Sequence, residues 1–164
     1  MESTNVSVAK RGKLQSPEQW PTWISTIRSL AKDHNVWELL DPEKSDDNLT
    51  KEIDEPELPP MPQQTMNESN QMMYRMWGYE MDFYKIKQAR YEKQQKGLAI
   101  VNTAIKASVH ENQQYSLNDK DTARERLVFL KSRFGQSTNR FEIVRKEWKA
   151  TSHLPSKNDV DVDK

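Results

Sequence analysis

Cysteine is absent from this sequence, and glycine occurs only four times in 164 residues. The lack of thiols excludes a disulfide framework, a zinc knuckle and a cysteine nucleophile, and it fits a reducing compartment. No apolar run approaches the roughly 20 residues of a membrane-spanning helix. The polar start, MESTNVSVAK, has no apolar stretch of a secretory signal. We therefore predict a cytoplasmic protein without a membrane span.

The remaining composition is strongly polar. Apolar residues make up 34% of the chain and charged residues 30%, and the formal net charge is zero. A chain of this length forms one modest domain with a tail, or two very small ones. We expect a thin, largely helical core and no affinity of the whole chain for polyanions.

Motifs of catalysis are missing. His34, His110 and His153 are far apart in sequence and have no cysteine partners, so they do not form a metal-ligand pattern. The sequence has no phosphate-binding glycine loop and no nucleophile elbow. We therefore expect no enzyme activity, no cofactor, no metal and no small-molecule substrate.

Helical periodicity begins near residue 16. Ser16 precedes a proline and stands three residues before a glutamine, which is a capping pattern for a first helix. Asp33 or Asn35 can cap a second, short helix that Pro42 helps to end. The first helix carries an apolar stripe at spacings of three and four, formed by Trp20, Trp23, Ile24, Ile27, Leu30 and Ala31.

Residues 41–64 contain five prolines and predict an acidic linker or loop. A capping box at Thr65 predicts the start of a methionine- and aromatic-rich helix, which Gly97 could interrupt. Residues 111–118 read as a polar turn. A fourth apolar stripe runs from residue 123 to 134, and a fifth helix can open near residue 139.

The sequence therefore predicts an all-α fold, a small bundle of about five helices. Residues 1–14 form a disordered arm and residues 15–150 the helical domain. Residues 151–164 are a flexible tail or the start of a linker to a second domain.

Charge is unevenly distributed along the chain. Residues 38–57 hold nine acidic residues and two lysines, a net charge of −7, whereas residues 123–149 hold eight basic and three acidic residues, a net charge of +5. The basic segment can be a solvated helix face, a weak RNA-binding face or a contact between subunits, and the two segments can also neutralise each other within one chain. The basic candidates are Arg124, Arg126, Lys131, Arg133, Arg140, Arg145, Lys146 and Lys149.

Large apolar side chains are the other candidates. Each can be a core anchor or part of an interface with another subunit, since a tryptophan buries about 150–250 Å². The candidate anchors are Trp20, Trp23, Trp37, Leu40, Trp77 and Trp148. The methionines near the start of the predicted third helix can likewise form an adaptable binding stripe or pack in the core; they are Met72, Met73, Met76 and Met81.

Four motifs in a consistent order resemble a known family. WPTW at 20–23 and VWELL at 36–40 resemble the opening of Gag proteins from copia-type LTR retrotransposons, particularly fungal ones. The segment 91–99 leading into 105–109, and DTARERL at 121–127 followed by 130–134, are similar to later parts of the same proteins. The resemblance covers about residues 14–150.

This resemblance implies the helical N-terminal domain of a capsid protein. Such proteins self-associate through weak lattice contacts into virus-like particles that enclose the element's RNA. A Gag-derived cellular protein-interaction adaptor would carry the same motifs, and a weak RNA-binding module is the third reading.

Overall fold

The computed structural model describes residues 13–135, 144–146 and 148. Of these residues 68% are helical, and among them there is no β-strand, so the predicted all-α class is confirmed. None of the described helices is long and apolar enough to cross a membrane. The α-helices are α1 (Trp20–Asp33), α2 (Trp37–Leu40), α3 (Gln71–Ala107), α4 (Glu111–Asn118) and α5 (Ala123–Leu130).

The predicted start of the first helix is correct. Pro17–Gln19 forms a 3-10 turn that runs directly into α1. The side-chain Oε1 of Gln19 accepts hydrogen bonds from the backbone N–H groups of Gln15, at 2.9 Å, and Ser16, at 3.3 Å. These bonds satisfy backbone N–H groups that lie just before the helix.

The core forms where α1 and α5 pack against the C-terminal third of α3, and α2 packs against α1 and α5. Trp20 and Trp23 stack within it, with ring centroids 5.5 Å apart. The indole Nε1 of Trp23 donates to Ser108 Oγ at 2.9 Å, and this hydroxyl donates in turn to the Ala104 carbonyl at 2.7 Å. Buried polar groups are therefore paired at the point where α1 meets the end of α3.

The chain before α1 is also tied to the end of α3. Leu14 is fully buried and forms an isolated parallel bridge with Val109. Its N–H donates to the Ser108 carbonyl at 2.8 Å, and its carbonyl accepts from the His110 N–H at 3.0 Å. Two backbone hydrogen bonds and one core side chain thus anchor residue 14.

The turn between α1 and α2 differs from the predicted cap. The N-cap of α2 is Val36, so the prediction of Asp33 or Asn35 in that role was wrong. Asn35 instead takes a positive φ of 57°, a conformation that asparagine tolerates better than most residues. This turn lets Val36 enter the core directly after α1.

Helix α3 begins at Gln71, so the predicted start at the Thr65 capping box was wrong. Local hydrogen bonds explain the delay: Asn67 Oδ1 accepts from the Asn70 N–H at 3.0 Å, and Asn70 Nδ2 donates to the Thr65 carbonyl at 2.9 Å. Such side-chain bonds offer the backbone an alternative to the helix. Beyond Gln71 the helix continues without a break through Gly97.

Residues 111–118 form helix α4, so their prediction as a polar turn was wrong. Only Leu117 of this helix is buried, which is why the sequence shows no apolar stripe there. His110 supplies the cap, since its Nδ1 accepts from the Asn112 N–H at 3.3 Å. Helices this short depend on tertiary contacts more than on propensity.

After α5 the helix widens into a π-helical turn, Lys131–Gly135, that brings Phe134 into the core. Of the predicted fifth helix, residues 144–146 and Trp148 are described and are helical. The remainder of that helix lies outside the described residues, as do the predicted arm up to residue 12 and the tail 151–164.

Candidate interaction surface

The predicted aromatic anchors of the first two helices are core residues. Trp20, Trp23 and Trp37 expose only 5–7% of their surface, and Leu40 is equally buried. The guanidinium of Arg28 lies 4.9 Å from the ring centroid of Trp37 and covers its outer side. These side chains are therefore not available to another subunit in this conformation.

The remaining two predicted anchors lie outside this core. Trp77 is half-buried on α3, where its Nε1 donates to the Pro59 carbonyl at 3.5 Å. Trp148 is 75% exposed.

Two of the predicted basic residues bind residues 41–64 of the same chain, which we call the acidic segment. Arg124 donates to the Asp41 carbonyl at 2.7 Å and to Asp46 Oδ1 at 2.6 Å. Lys131 Nζ lies 2.7 Å from Glu43 Oε2. Part of the charge difference between the two segments is therefore neutralised within one chain.

Arg126 is buried, with 4% of its surface exposed. Its guanidinium donates to the Leu117 carbonyl at 3.1 Å, and also to Asn102 Oδ1 and the Lys120 carbonyl. It links α3, α4 and α5, and it does not belong to an exposed basic face.

The other predicted basic residues divide into two groups. Arg133, Arg145 and Lys146 are exposed. Arg140 and Lys149 lie outside the described residues. Among the described side chains, no cluster of three or more potential ligands could hold a metal ion.

A row of exposed apolar side chains lies on α3. Near its C-terminus one face of the helix is buried against the core, through Gly97, Val101, Ala104 and Ile105. The same face continues toward the N-terminus, because residues spaced by three and four lie on one side of a helix. There it carries five apolar side chains that are 53–70% exposed, which we call the α3 seam: Met72, Met76, Tyr79, Phe83 and Ile86.

Sequence reasoning missed the α3 seam because it grouped the methionines by type rather than by position. The seam alternates steps of four and three residues, whereas Met73 and Met81 fall off this repeat. That spacing was readable in the sequence. The sequence does not show where along α3 the core ends, and the stripe is exposed only beyond that point.

The acidic segment runs along α3 beside the seam. The Ile53 N–H donates to Gln94 Oε1 at 2.8 Å, and the Tyr74 hydroxyl donates to the Gln64 carbonyl. The half-buried aromatic rings of Tyr84 and Tyr91 occur along this helix, off the seam repeat. An open groove remains between segment and helix, and on the helix side it is lined by Glu80, Phe83, Tyr84, Lys87 and Arg90.

Charged side chains flank the α3 seam on both sides. Arg75 and Asp82 lie along one flank, and Glu80 and Lys87 along the other, as their helical positions dictate. All four are exposed. An exposed apolar stripe with a charged rim has the composition of a protein-interaction surface.

Comparison of the chain with models of protein families, with curated proteins and with solved structures gave no match.

Proposed function

We propose that this protein is a structural self-association module, a capsid-like helical domain of the Gag type. The observation that carries the proposal is the α3 seam, a row of five large apolar side chains exposed on a helix whose other end is fixed in the core. The resemblance of the motifs at 20–23, 36–40 and 121–127 to copia-type Gag proteins supports the same reading. In this role the chain would form virus-like particles around RNA in the cytoplasm.

The energetics favour association through the α3 seam. Burying a side chain of the size of methionine or phenylalanine contributes roughly 1.5–3 kcal/mol. The helix is already formed, because its C-terminal third packs against the core and its Trp77 and Gln94 bind the acidic segment. Association therefore loses less conformational entropy than the folding of a free peptide would.

The RNA-binding alternative is less well supported. Three of the eight predicted basic residues are engaged within the chain: Arg124 and Lys131 with the acidic segment, and Arg126 in the interior. An RNA site would rest on the exposed residues Arg133, Arg145 and Lys146. Binding through such phosphate contacts is expected to be weak and to be lost steeply with added salt.

The test is sedimentation velocity of the wild-type chain and of Phe83→Glu over a wide range of concentrations. We expect the wild type to form oligomers as its concentration rises and Phe83→Glu to remain monomeric, because a carboxylate in the contact would lose its hydration. The matched control is Tyr115→Glu, which replaces an aromatic residue on α4 that is 81% exposed and lies off the seam. This control should associate like the wild type.

Circular dichroism of the three proteins separates association from folding, since all should keep the same helical content. A wild-type chain that stays monomeric at every concentration, with and without RNA, would contradict the proposal and favour the adaptor reading. Equal loss of oligomers in Phe83→Glu and Tyr115→Glu would also contradict it, because the seam would then have no special part.

A further inference from the structure

We infer that the α3 seam pairs with the same seam of a second copy of this chain in an antiparallel arrangement. This inference rests on the proposed function, since it assumes that the chain self-associates. It adds the occupant of the surface, the direction of the two helices and the residues that meet.

The spacing of the α3 seam is that of a coiled coil. Met72, Met76, Tyr79, Phe83 and Ile86 follow one another in steps of four, three, four and three residues. Apolar residues at the two core positions of a seven-residue repeat place one continuous row against a partner helix. A matching row with this spacing is present on a second copy of the chain.

The position of the folded core sets the direction of the pair. The same face of α3 contacts the chain's own core from Gly97 onward, where Val36 and His34 lie 3.0–3.3 Å from a Cβ built on that glycine. In a parallel pair both cores would have to occupy the space between the two helices at the same level. In an antiparallel pair each core lies beyond the start of the other helix, and the two seams remain in contact.

Full overlap of the two seams fixes the register. When the helices run in opposite directions, Met76 lies opposite Ile86 of the second copy, and Tyr79 lies opposite Phe83 of the second copy. Met72 then meets the aliphatic stem of Arg90, which is exposed and continues the seam repeat by a further step of four. Each contact occurs twice, as a two-fold axis requires.

Charge complementarity on one flank favours a second copy of the chain as the partner, whereas the direction of the pair follows from the position of the core. Reversing one helix brings like flanks together, so Glu80 of one copy and Lys87 of the second lie on the same flank, about 7.5 Å apart along the axis, and both side chains are exposed. The two-fold axis lies level with residue 81, so the two Glu80 carboxylates approach each other on this flank and the two Asp82 carboxylates on the other. Each Asp82 already has Lys85 of its own helix at 3.4 Å, which offsets part of the repulsion.

Disulfide trapping tests the direction and the register, because the chain has no cysteine of its own. The variants are Met76→Cys and Ile86→Cys, both at exposed positions of α3 that leave the core intact. In the inferred register, Met76 of one copy is level with Ile86 of the second. Two copies of Met76, or two copies of Ile86, are therefore about 15 Å apart along the axis, because ten residues of helix rise about 1.5 Å each. A disulfide requires the two Cβ atoms to be about 3.5–4.5 Å apart.

We expect neither variant alone to form a disulfide-linked dimer on mild oxidation, and a mixture of the two to form the mixed dimer. Dimers of each variant with itself would overturn the antiparallel direction while leaving self-association intact. Oligomers in sedimentation without any disulfide would overturn the pairing through the seam but leave the proposed function standing. Monomers without disulfides would contradict both.

Charge reversal gives an independent readout by sedimentation. Glu80→Lys and Lys87→Glu should each weaken dimerisation by roughly three- to tenfold, because each places like charges opposite one another. The double variant Glu80→Lys/Lys87→Glu should restore wild-type affinity in the antiparallel pair. In a parallel pair these residues would instead face Arg75 and Asp82, so the double variant would stay weak, and that result would overturn the inference.

Discussion

Arg126 shows how a residue that looks like part of a binding face can hold the fold together. Its guanidinium satisfies acceptors in three places, the Leu117 and Lys120 carbonyls and Asn102 Oδ1. A planar guanidinium presents five donors in a fixed geometry, which suits it to several acceptors at once. Its neighbour Arg124 uses the same chemistry at the surface of the acidic segment.

Arg126→Met tests this structural role. The apolar replacement leaves buried acceptors without donors, and each such group costs about 1–3 kcal/mol. We expect the free energy of unfolding to fall by about 2–4 kcal/mol in urea denaturation. Arg133→Met, at an exposed position, is the control and should change it by less than about 0.5 kcal/mol. Equal effects of the two substitutions would mean that the buried hydrogen bonds contribute little.

At the scale of the element, α3 is one continuous helix whose two ends have different surroundings. Its C-terminal third packs tightly, and Gly97 is there because a side chain would meet Val36 Cγ1 at 3.0 Å and the His34 carbonyl at 3.3 Å. Its N-terminal part projects beyond the core, and Gly78 there has nothing within 4 Å of the position that a Cβ would occupy. A side chain would therefore be crowded at position 97 but would have free space at position 78.

Alanine at these two positions should act in opposite directions. Gly78→Ala gains about 1 kcal/mol of helix propensity without a clash, so the melting temperature should rise. Gly97→Ala gains the same propensity but forces a close contact with a backbone carbonyl, and overpacking of this kind costs about 1–3 kcal/mol. Thermal unfolding followed by circular dichroism should show no gain, or a loss, for Gly97→Ala. A clear rise in its melting temperature would contradict the tight packing.

At the scale of the whole molecule, ion pairs hold the acidic segment against the end of the bundle, and we call these pairs the clamp. Arg124 and Lys131 reach Asp46 and Glu43 across 78 and 88 positions of sequence. The acceptors are largely exposed, so each ion pair contributes little to stability and is screened by salt. The clamp matters more for the local order of the segment than for the free energy of unfolding.

Proteolysis by a glutamate-specific protease tests the clamp. In Arg124→Gln/Lys131→Gln, cleavage after Glu43 should become faster, because backbone that loses its hydrogen bonds opens more often. Cleavage after Glu55, an exposed residue that neither cation contacts, provides the internal control and should keep its rate. Added salt should accelerate only the Glu43 site in the wild type. An unchanged rate at Glu43 in the double variant would show that other contacts hold the segment.

Much of the fold followed from the sequence because its signals are local. The capping residues around Ser16 and the tryptophan stripe of α1 depend on positions within a turn or two of each other, and both predict the observed helix. The all-α class follows in the same way from helical spacing. The polar helix α4 escaped prediction because a helix with one buried residue has no stripe to read.

The tertiary structure alone decided which surfaces remain free. Periodicity places Met76 and Val101 on the same face of α3, yet one is 58% exposed and the other fully buried. Likewise, charge counting makes Arg126 and Arg133 equivalent, although only the first lies in the interior. These differences arise because burial is set by contacts between segments far apart in the chain, such as that of Trp23 with Ser108, 85 positions away, and no local pattern encodes where such contacts end.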